Sequence, residues 1–180
     1  CNLTEINGGK CNTEEDFYKA CRAASILGTL QAGYTDFKFL TDTSKLIFDR
    51  EALLGVSITG WMNNPDILFN EKILEKGAQI VKDVNREVAR IIGINPAART
   101  TCVKPSGNAS VLLQTASGIH AEHSPMYIRN VQMNKESEIT QAIMKTNPYM
   151  VEESVWSAGG TDVVVSFPIM PNKGSMYKDD

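Results

Sequence analysis

The chain has 180 residues, 42% of them hydrophobic and 22% charged, the make-up of a globular protein with one sizeable core. Its net charge of -3 gives no basic footprint for a polynucleotide, and no block of like charge reads as a tail. No apolar run approaches the roughly 18 residues that a membrane span needs, and nothing at the start has the form of a signal or transit peptide, so the expected location is the cytoplasm.

Residues 1–7, CNLTEIN, alternate as a short strand does, and Gly8-Gly9 breaks it. A helix is expected from Asn12 or Thr13 to about Gln31, ahead of Gly33. Phe17, Ala20, Cys21, Ala24 and Leu27 recur at its spacing, and Glu14, Glu15 and Asp16 suit its positive end. The aliphatic run Leu53 to Ile58, stopped by Gly60, reads as a buried strand. After Asn63-Asn64-Pro65 a long helix is expected from near Asn70 to Ile92, with Leu74, Ala78, Val81, Val88 and Ile91 on one face and Gly93 at its end. Thr100 to Lys104 reads as a strand, Pro105-Ser106-Gly107 as a turn, and Asn108 to Gln114 as a helix. Met126 to Met133 and Val163 to Phe167 read as further strands, separated by a helix near Glu136 to Lys145. Strands alternating with helices predict one α/β domain over residues 1–180 with much parallel pairing. Both ends read as cut, the first at a cysteine in place of Met and the last at MYKDD.

The densest local pattern is TTCVKPSGNAS, residues 100–110. A strand feeding a Pro-Ser-Gly turn and then a helix presents free backbone N–H groups and the positive end of a helix dipole, which suits a phosphate. Gly107 permits close approach, the Ser106 and Ser110 hydroxyls can donate, and Lys104 can add charge. The alternative is an ordinary capped strand-to-helix turn, and no Walker-type GxxxxGK[ST] is present. His120 and His123 flank Glu122 in HAEH, which reads either as a weak metal or general-base motif or as two loop histidines. The four cysteines show no CxxC spacing, and Cys11, Cys21 and Cys102 are expected to be small buried apolar residues. Trp61 and Trp156 are expected to pack rather than to form a stacking platform.

Four stretches together resemble one family. CNLTEIN (1–7), GVSITGWMNNPDIL (55–68), the run from Ala98 through TTCVKPSGNASVLL to Leu113, and SGIHAEHSPMYIRNVQMNK (117–135) are similar, in order and spacing, to the large-subunit barrel of ribonucleotide reductases. CNLTEI and KPSGNAS point to the adenosylcobalamin-dependent class. The resemblance implies a ten-stranded α/β barrel around a finger loop, of which this chain would be a part truncated at both ends. It implies that Cys1 is one of two thiols that supply reducing equivalents. It also implies that Pro105, Ser106, Gly107, Asn108, Ala109 and Ser110 cradle the substrate phosphate. The implied reaction removes the 2'-hydroxyl of a ribonucleotide by radical chemistry that depends on adenosylcobalamin, and a thioredoxin-like reductant restores the thiols. The family's radical cysteine sits in a pattern like NPCxE, which is absent here, so it is expected in an upstream reductase segment. This chain would hold roughly one side of an active site.

A start at Cys1 admits two explanations, an arbitrary boundary or an intein splice junction, because the residue after an intein must be Cys, Ser or Thr. Two functions stay open: an enzyme segment that acts once joined to the NPCxE part, and a non-catalytic phosphate-binding α/β fragment. A barrel lacking strands would expose edges, so the isolated chain is expected to be poorly stable.

Overall fold

The computed structural model describes residues 1–107 and 109–179. The chain divides into two compact units, one of residues 1–122 and 172–179, the other His123–Pro171.

In the first unit, β1 (Asn2–Asn7) runs parallel to β2 (Leu54–Thr59), with Asn2 opposite Leu54 and Asn7 opposite Thr59. On the other side of β2 the segment around Thr101 adds a parallel bridge to Val56; the Val56 N–H donates to the Thr100 carbonyl at 2.9 Å and the Cys102 N–H to the Val56 carbonyl at 3.0 Å. The expected strand over Thr100 to Lys104 is thus reduced to this bridge, since Pro105 has no N–H with which to extend a ladder.

One face of these strands is covered by α1 (Glu14–Ala32) and α4 (Glu71–Ile92), and Ile6, Val56, Phe17, Cys21, Ile73 and Val81 make the core between them. The ends of α1 and α4 follow their sequence signals. Thr13 and Asp16 form a reciprocal capping box on α1, each bond 3.1 Å, and Gly93 closes α4 in the left-handed region at φ 76°. The buried faces follow expectation only in part, with Phe17, Cys21 and Ala24 of α1 and Val81 of α4 buried as expected. On α4 they are Ile73, Gly77, Val81, Val84, Asn85 and Ala89, while Ile91 is 70% exposed; on α1 Leu27 is exposed and Ser25, Gly28 and Thr29 are buried. The reason is the close crossing of the helices at Gly77. A methyl group there would stand 2.5 Å from Phe17 Cε1, so the contact is set by the smallest residue rather than by the most apolar arc. Polar groups at the crossing are satisfied internally: Ser25 donates to the Val81 carbonyl, and Asn85 donates to Thr29 Oγ1 at 2.9 Å while accepting from the Ala97 N–H at 2.8 Å.

Two further helices of the first unit have no expected counterpart: α2 (Asp42–Glu51), which is capped by Thr41 and buries none of its side chains, and the one-turn α3 (Pro65–Leu68). A five-residue α5 (Ala109–Leu113) stands where a helix to Gln114 was expected; Gln114 itself is left-handed, at φ 52°.

The second unit contains an antiparallel sheet in the order β3 (Tyr127–Asn134), β5 (Asp162–Ile169), β4 (Val151–Glu153), with α6 (Glu138–Thr146) between the first two in sequence. Parallel pairing is therefore confined to the first unit among the described residues. Here a short return through β4 lets β5 pair back on β3, a connection that antiparallel strands allow and parallel ones do not. Trp156, expected to pack, lies in the turn between β4 and β5 and is 84% exposed. The fold is mixed α/β, and no helix among the described residues is long and apolar enough to cross a membrane.

Candidate functional site

Side chains alternate along a strand, so the sheet face turned away from α1 and α4 carries Leu3, Glu5 and Asn7 of β1 and Gly55, Ser57 and Thr59 of β2. Cys1 precedes this face on one side, and Cys102 and Lys104 continue it on the other. The face is polar and only partly self-satisfied. Lys104 Nζ pairs with Glu5 Oε2 at 3.1 Å, both side chains being largely buried. The free charge anticipated for a phosphate is therefore already engaged by Glu5. Glu5 Oε1, Asn7 Oδ1 and Ser57 Oγ are buried without a hydrogen-bond partner among the described residues, as is Thr4 Oγ1 on the helix side. Asn7 is oriented by its own amide, whose Nδ2 donates to the Leu113 carbonyl at 2.7 Å; a carbonyl only accepts, so Oδ1 is the end left open. Buried polar atoms without partners are costly, and this row is the natural place for a ligand's hydroxyl groups.

The Pro105-Ser106-Gly107 turn follows Lys104. Gly107 is left-handed at φ 54° with open space around it, which leaves its backbone approachable. Ser106 is buried and its hydroxyl lies 2.9 Å from that of Ser117. The Ala109 N–H donates to the Ser106 carbonyl at 3.1 Å, so one of the backbone donors expected for a phosphate closes the turn instead. Ser110 is buried, its hydroxyl 3.5 Å from the Gly107 carbonyl, and Pro105 is exposed. Asn108 lies outside the described residues. The structure thus brings Ser106, Gly107 and Ser110 into one turn, with the serines half-committed to the loop itself.

What holds that turn is a residue whose role was not read from the sequence. Asn63 is buried; its Oδ1 accepts from Thr115 Oγ1 and the Ala116 N–H, each at 2.6 Å, and its Nδ2 donates to Glu122 Oε1 and Ser175 Oγ, each at 2.9 Å. Thr59 adds to the fastening: its hydroxyl donates to the Ala116 carbonyl at 3.1 Å and accepts from the Gly118 N–H at 2.8 Å. The segment that carries Ser117, the partner of Ser106, is anchored on both sides. In the sequence, Asn63-Asn64-Pro65 signalled only a chain break.

The HAEH motif does not converge. Glu122 is buried against Asn63, while His120 and His123 are both exposed, and no group of three or more metal-ligating side chains occurs among the described residues.

The cysteines separate into two kinds. Cys11 and Cys21 are buried as expected, and burial pushes their thiols up from 9.0, Cys11 to about 11 with the help of nearby Asp16 and Cys21 to about 12 with the help of Cys11. Cys1 is exposed and Cys102 is half-buried on the open face, contrary to the apolar role expected for Cys102. At pH 8, iodoacetamide is expected to label Cys1 in the folded protein and leave Cys11 and Cys21 unmodified until denaturant is added; peptide mass mapping reads the difference. The raised thiols stabilise the fold fully below the unfolded thiol value, and that contribution is lost as pH climbs from about 9 through 12.

No family model matches the chain. It is 27% identical over 180 residues to a probable adenosylcobalamin-dependent ribonucleoside-triphosphate reductase of Dictyostelium discoideum, covering 97% of this chain and 23% of the relative. It is 25% identical over 176 residues to the adenosylcobalamin-dependent ribonucleoside-triphosphate reductase of Euglena gracilis, covering 94% and 23% respectively. The crystal structure of a B-12 dependent (class II) ribonucleotide reductase superposes with a TM-score of 0.66 at 18% identity, over 98% of this chain and 28% of that one. The chain spans about a quarter of the length of these proteins. Nearly every residue of the chain thus aligns with a stretch of adenosylcobalamin-dependent ribonucleoside-triphosphate reductases, and over that span it shares the fold of the class II ribonucleotide reductase.

Proposed function

We propose that the chain serves a ribonucleotide reductase that converts ribonucleotides to deoxyribonucleotides, as one part of a single catalytic barrel domain. The observation that carries this reading is a sheet face that joins an exposed thiol, a row of unpartnered buried acceptors and a glycine turn open to an anion. In this role Cys1 is one of two reducing thiols. When the substrate's 2'-hydroxyl departs as water, the two thiols give up two hydrogens in all and end as a disulfide, so the nucleotide is reduced and the thiols are oxidised. Exchange with a thioredoxin-like dithiol returns them. Pro105, Ser106, Gly107, Ala109 and Ser110, with Asn108, hold the 5' phosphate, and Glu5, Asn7 and Ser57 receive the sugar's hydroxyl protons. Fixing both ends of the substrate in this way contributes to catalysis by orientation.

The radical cysteine and its carboxylate belong to an upstream segment of the same enzyme. Adenosylcobalamin, named in the relatives, supplies a radical in the complete protein. No side chain described here forms a cradle for it: the cavity of about 400 Å³ between sheet and helices is lined by core residues such as Ile6, Phe17 and Val81. The cytoplasm is the location this role requires.

The complete protein carrying this chain, given ribonucleotide, adenosylcobalamin and a thioredoxin-type reductant, is expected to form deoxyribonucleotide. Cys1→Ser is expected to reduce that to background. Ser106→Ala is expected to raise KM about tenfold, the loss of one hydrogen bond to a charged group. Undiminished turnover by Cys1→Ser overturns the role of Cys1, and absence of product from soluble, folded protein leaves the non-catalytic phosphate-binding reading.

A further inference from the structure

The hydroxyl oxygens of Ser106 and Ser117 lie 2.9 Å apart, and the two residues are held very differently. Ser117 is on the fixed side. Thr59 grips the residues before and after it, donating to the Ala116 carbonyl at 3.1 Å and accepting from the Gly118 N–H at 2.8 Å. Asn63 Oδ1 accepts from the Ala116 N–H at 2.6 Å, the Gly118 carbonyl accepts from the Gly60 N–H at 3.1 Å, and the Ser117 carbonyl accepts from the His120 N–H at 3.0 Å. Ser106 belongs instead to the turn, next to Gly107 and the open space around it.

A hydroxyl has one proton to give and two lone pairs. Without a ligand, the Ser106 proton has two acceptors in reach, Ser117 Oγ at 2.9 Å and the Gly107 carbonyl at 3.4 Å, and the second is too long to hold it firmly. An ionised phosphate oxygen only accepts. Once Ser106 gives its proton to a phosphate it has none left for Ser117, so the pair stays bonded only if Ser117 becomes the donor. Among the described residues the Ser117 hydroxyl is bonded to Ser106 alone, so its proton is at liberty to turn that way. Each bond in such a chain polarises the next and strengthens it.

We infer that Ser117 is a positioning residue for the phosphate turn: it donates to Ser106 and thereby commits the single Ser106 proton to an anionic acceptor. This rests on the reading of the turn as the site of the substrate's phosphate. No proton changes its oxygen; two hydroxyls only rotate. The direction of the chain fits the ligand class. A donor ligand would turn both bonds round and leave the Ser117 proton without a protein acceptor among the described residues, whereas a phosphate leaves both protons bonded.

The test is a double-mutant cycle on the complete protein carrying this chain, with a ribonucleoside triphosphate as substrate. Ser117→Ala is expected to raise KM about fivefold at unchanged kcat, the size of one neutral hydrogen bond. Ser106→Ala is expected to raise it about tenfold. Adding Ser117→Ala to Ser106→Ala is expected to change nothing further, because without Ser106 the Ser117 proton has no route to the phosphate. Independent roles would instead multiply to about fiftyfold. An unchanged KM in Ser117→Ala, or a double variant near fiftyfold, overturns the inference. So does a kcat that falls while KM stays constant, since a serine that only holds the fold together would lower the amount of active protein rather than the affinity for substrate. If Ser106→Ala itself leaves KM unchanged, the turn is not the phosphate site, and the role of Ser117 falls with it.

Discussion

Replacing Asn63 by Ala is expected to destabilise the protein by about 3 kcal/mol or more, seen as a lower urea midpoint at unchanged slope. The amide of Asn63 makes four hydrogen bonds in a fully buried position: two accepted from Thr115 and Ala116, two donated to Glu122 and Ser175. Its four partners are buried too. Truncation withdraws an acceptor from a hydroxyl and a backbone N–H, and a donor from a buried carboxylate, and each buried group that loses its partner costs about 1–3 kcal/mol. Asn63→Asp separates the two halves of the argument. It keeps an acceptor for Thr115 and Ala116 but turns a second carboxylate toward Glu122 and offers no donor in return, so its destabilisation should shrink as pH falls and a carboxyl is protonated. A variant as stable as the wild type, for either substitution, would show that water replaces the amide at no cost. The functional corollary is a raised KM before any loss of fold, because the 115–118 segment that Asn63 anchors positions Ser117 against Ser106.

Gly77→Val should lower stability by about 2–3 kcal/mol through overpacking, and read out as a drop in Tm. The helix crossing has no room for a side chain at this position: a Cβ would lie 2.5 Å from Phe17 Cε1, 3.0 Å from Phe17 Cζ and 3.1 Å from Cys21 Sγ. Phe17 is itself held between α4 and the sheet, so it cannot swing out without leaving the core. Gly77→Ala is the informative companion. Alanine gains about 1 kcal/mol of helix propensity over glycine, set against the same ring contact, so its net cost should be clearly smaller than that of valine. If valine is tolerated with no change in Tm, α1 and α4 do not approach this closely.

The elements that were legible are those whose signal is local. Thr13 with Asp16 announces the start of α1, Asn70 and Gly93 bracket α4, and the Leu-Gly-Val-Ser-Ile run marks β2, because caps and β-branched runs act within a few residues of themselves. Even α2 carried such a signal in Thr41, a capping residue before Asp42. The turn at Ser106 and Gly107 was legible for the same reason, and so was the exposed position of the HAEH histidines as loop residues.

What the sequence determined by itself, then, was the placing of β1, α1, β2 and α4 in the first unit, the resemblance carried by four spaced motifs, and the residues at the glycine turn. Tertiary structure alone decided the rest. The buried arc of α4 was chosen by a glycine meeting Phe17, Lys104 was claimed by Glu5 about a hundred residues earlier, and Asn63 became an anchor only when Thr115, Ala116, Glu122 and Ser175 closed around it. Cys1 and Cys102 became neighbours because a parallel register put both on one face beside Gly55. Each of these depends on which distant backbone lies alongside, a choice made by total burial and hydrogen-bond satisfaction over the whole unit, and no short window of residues records it.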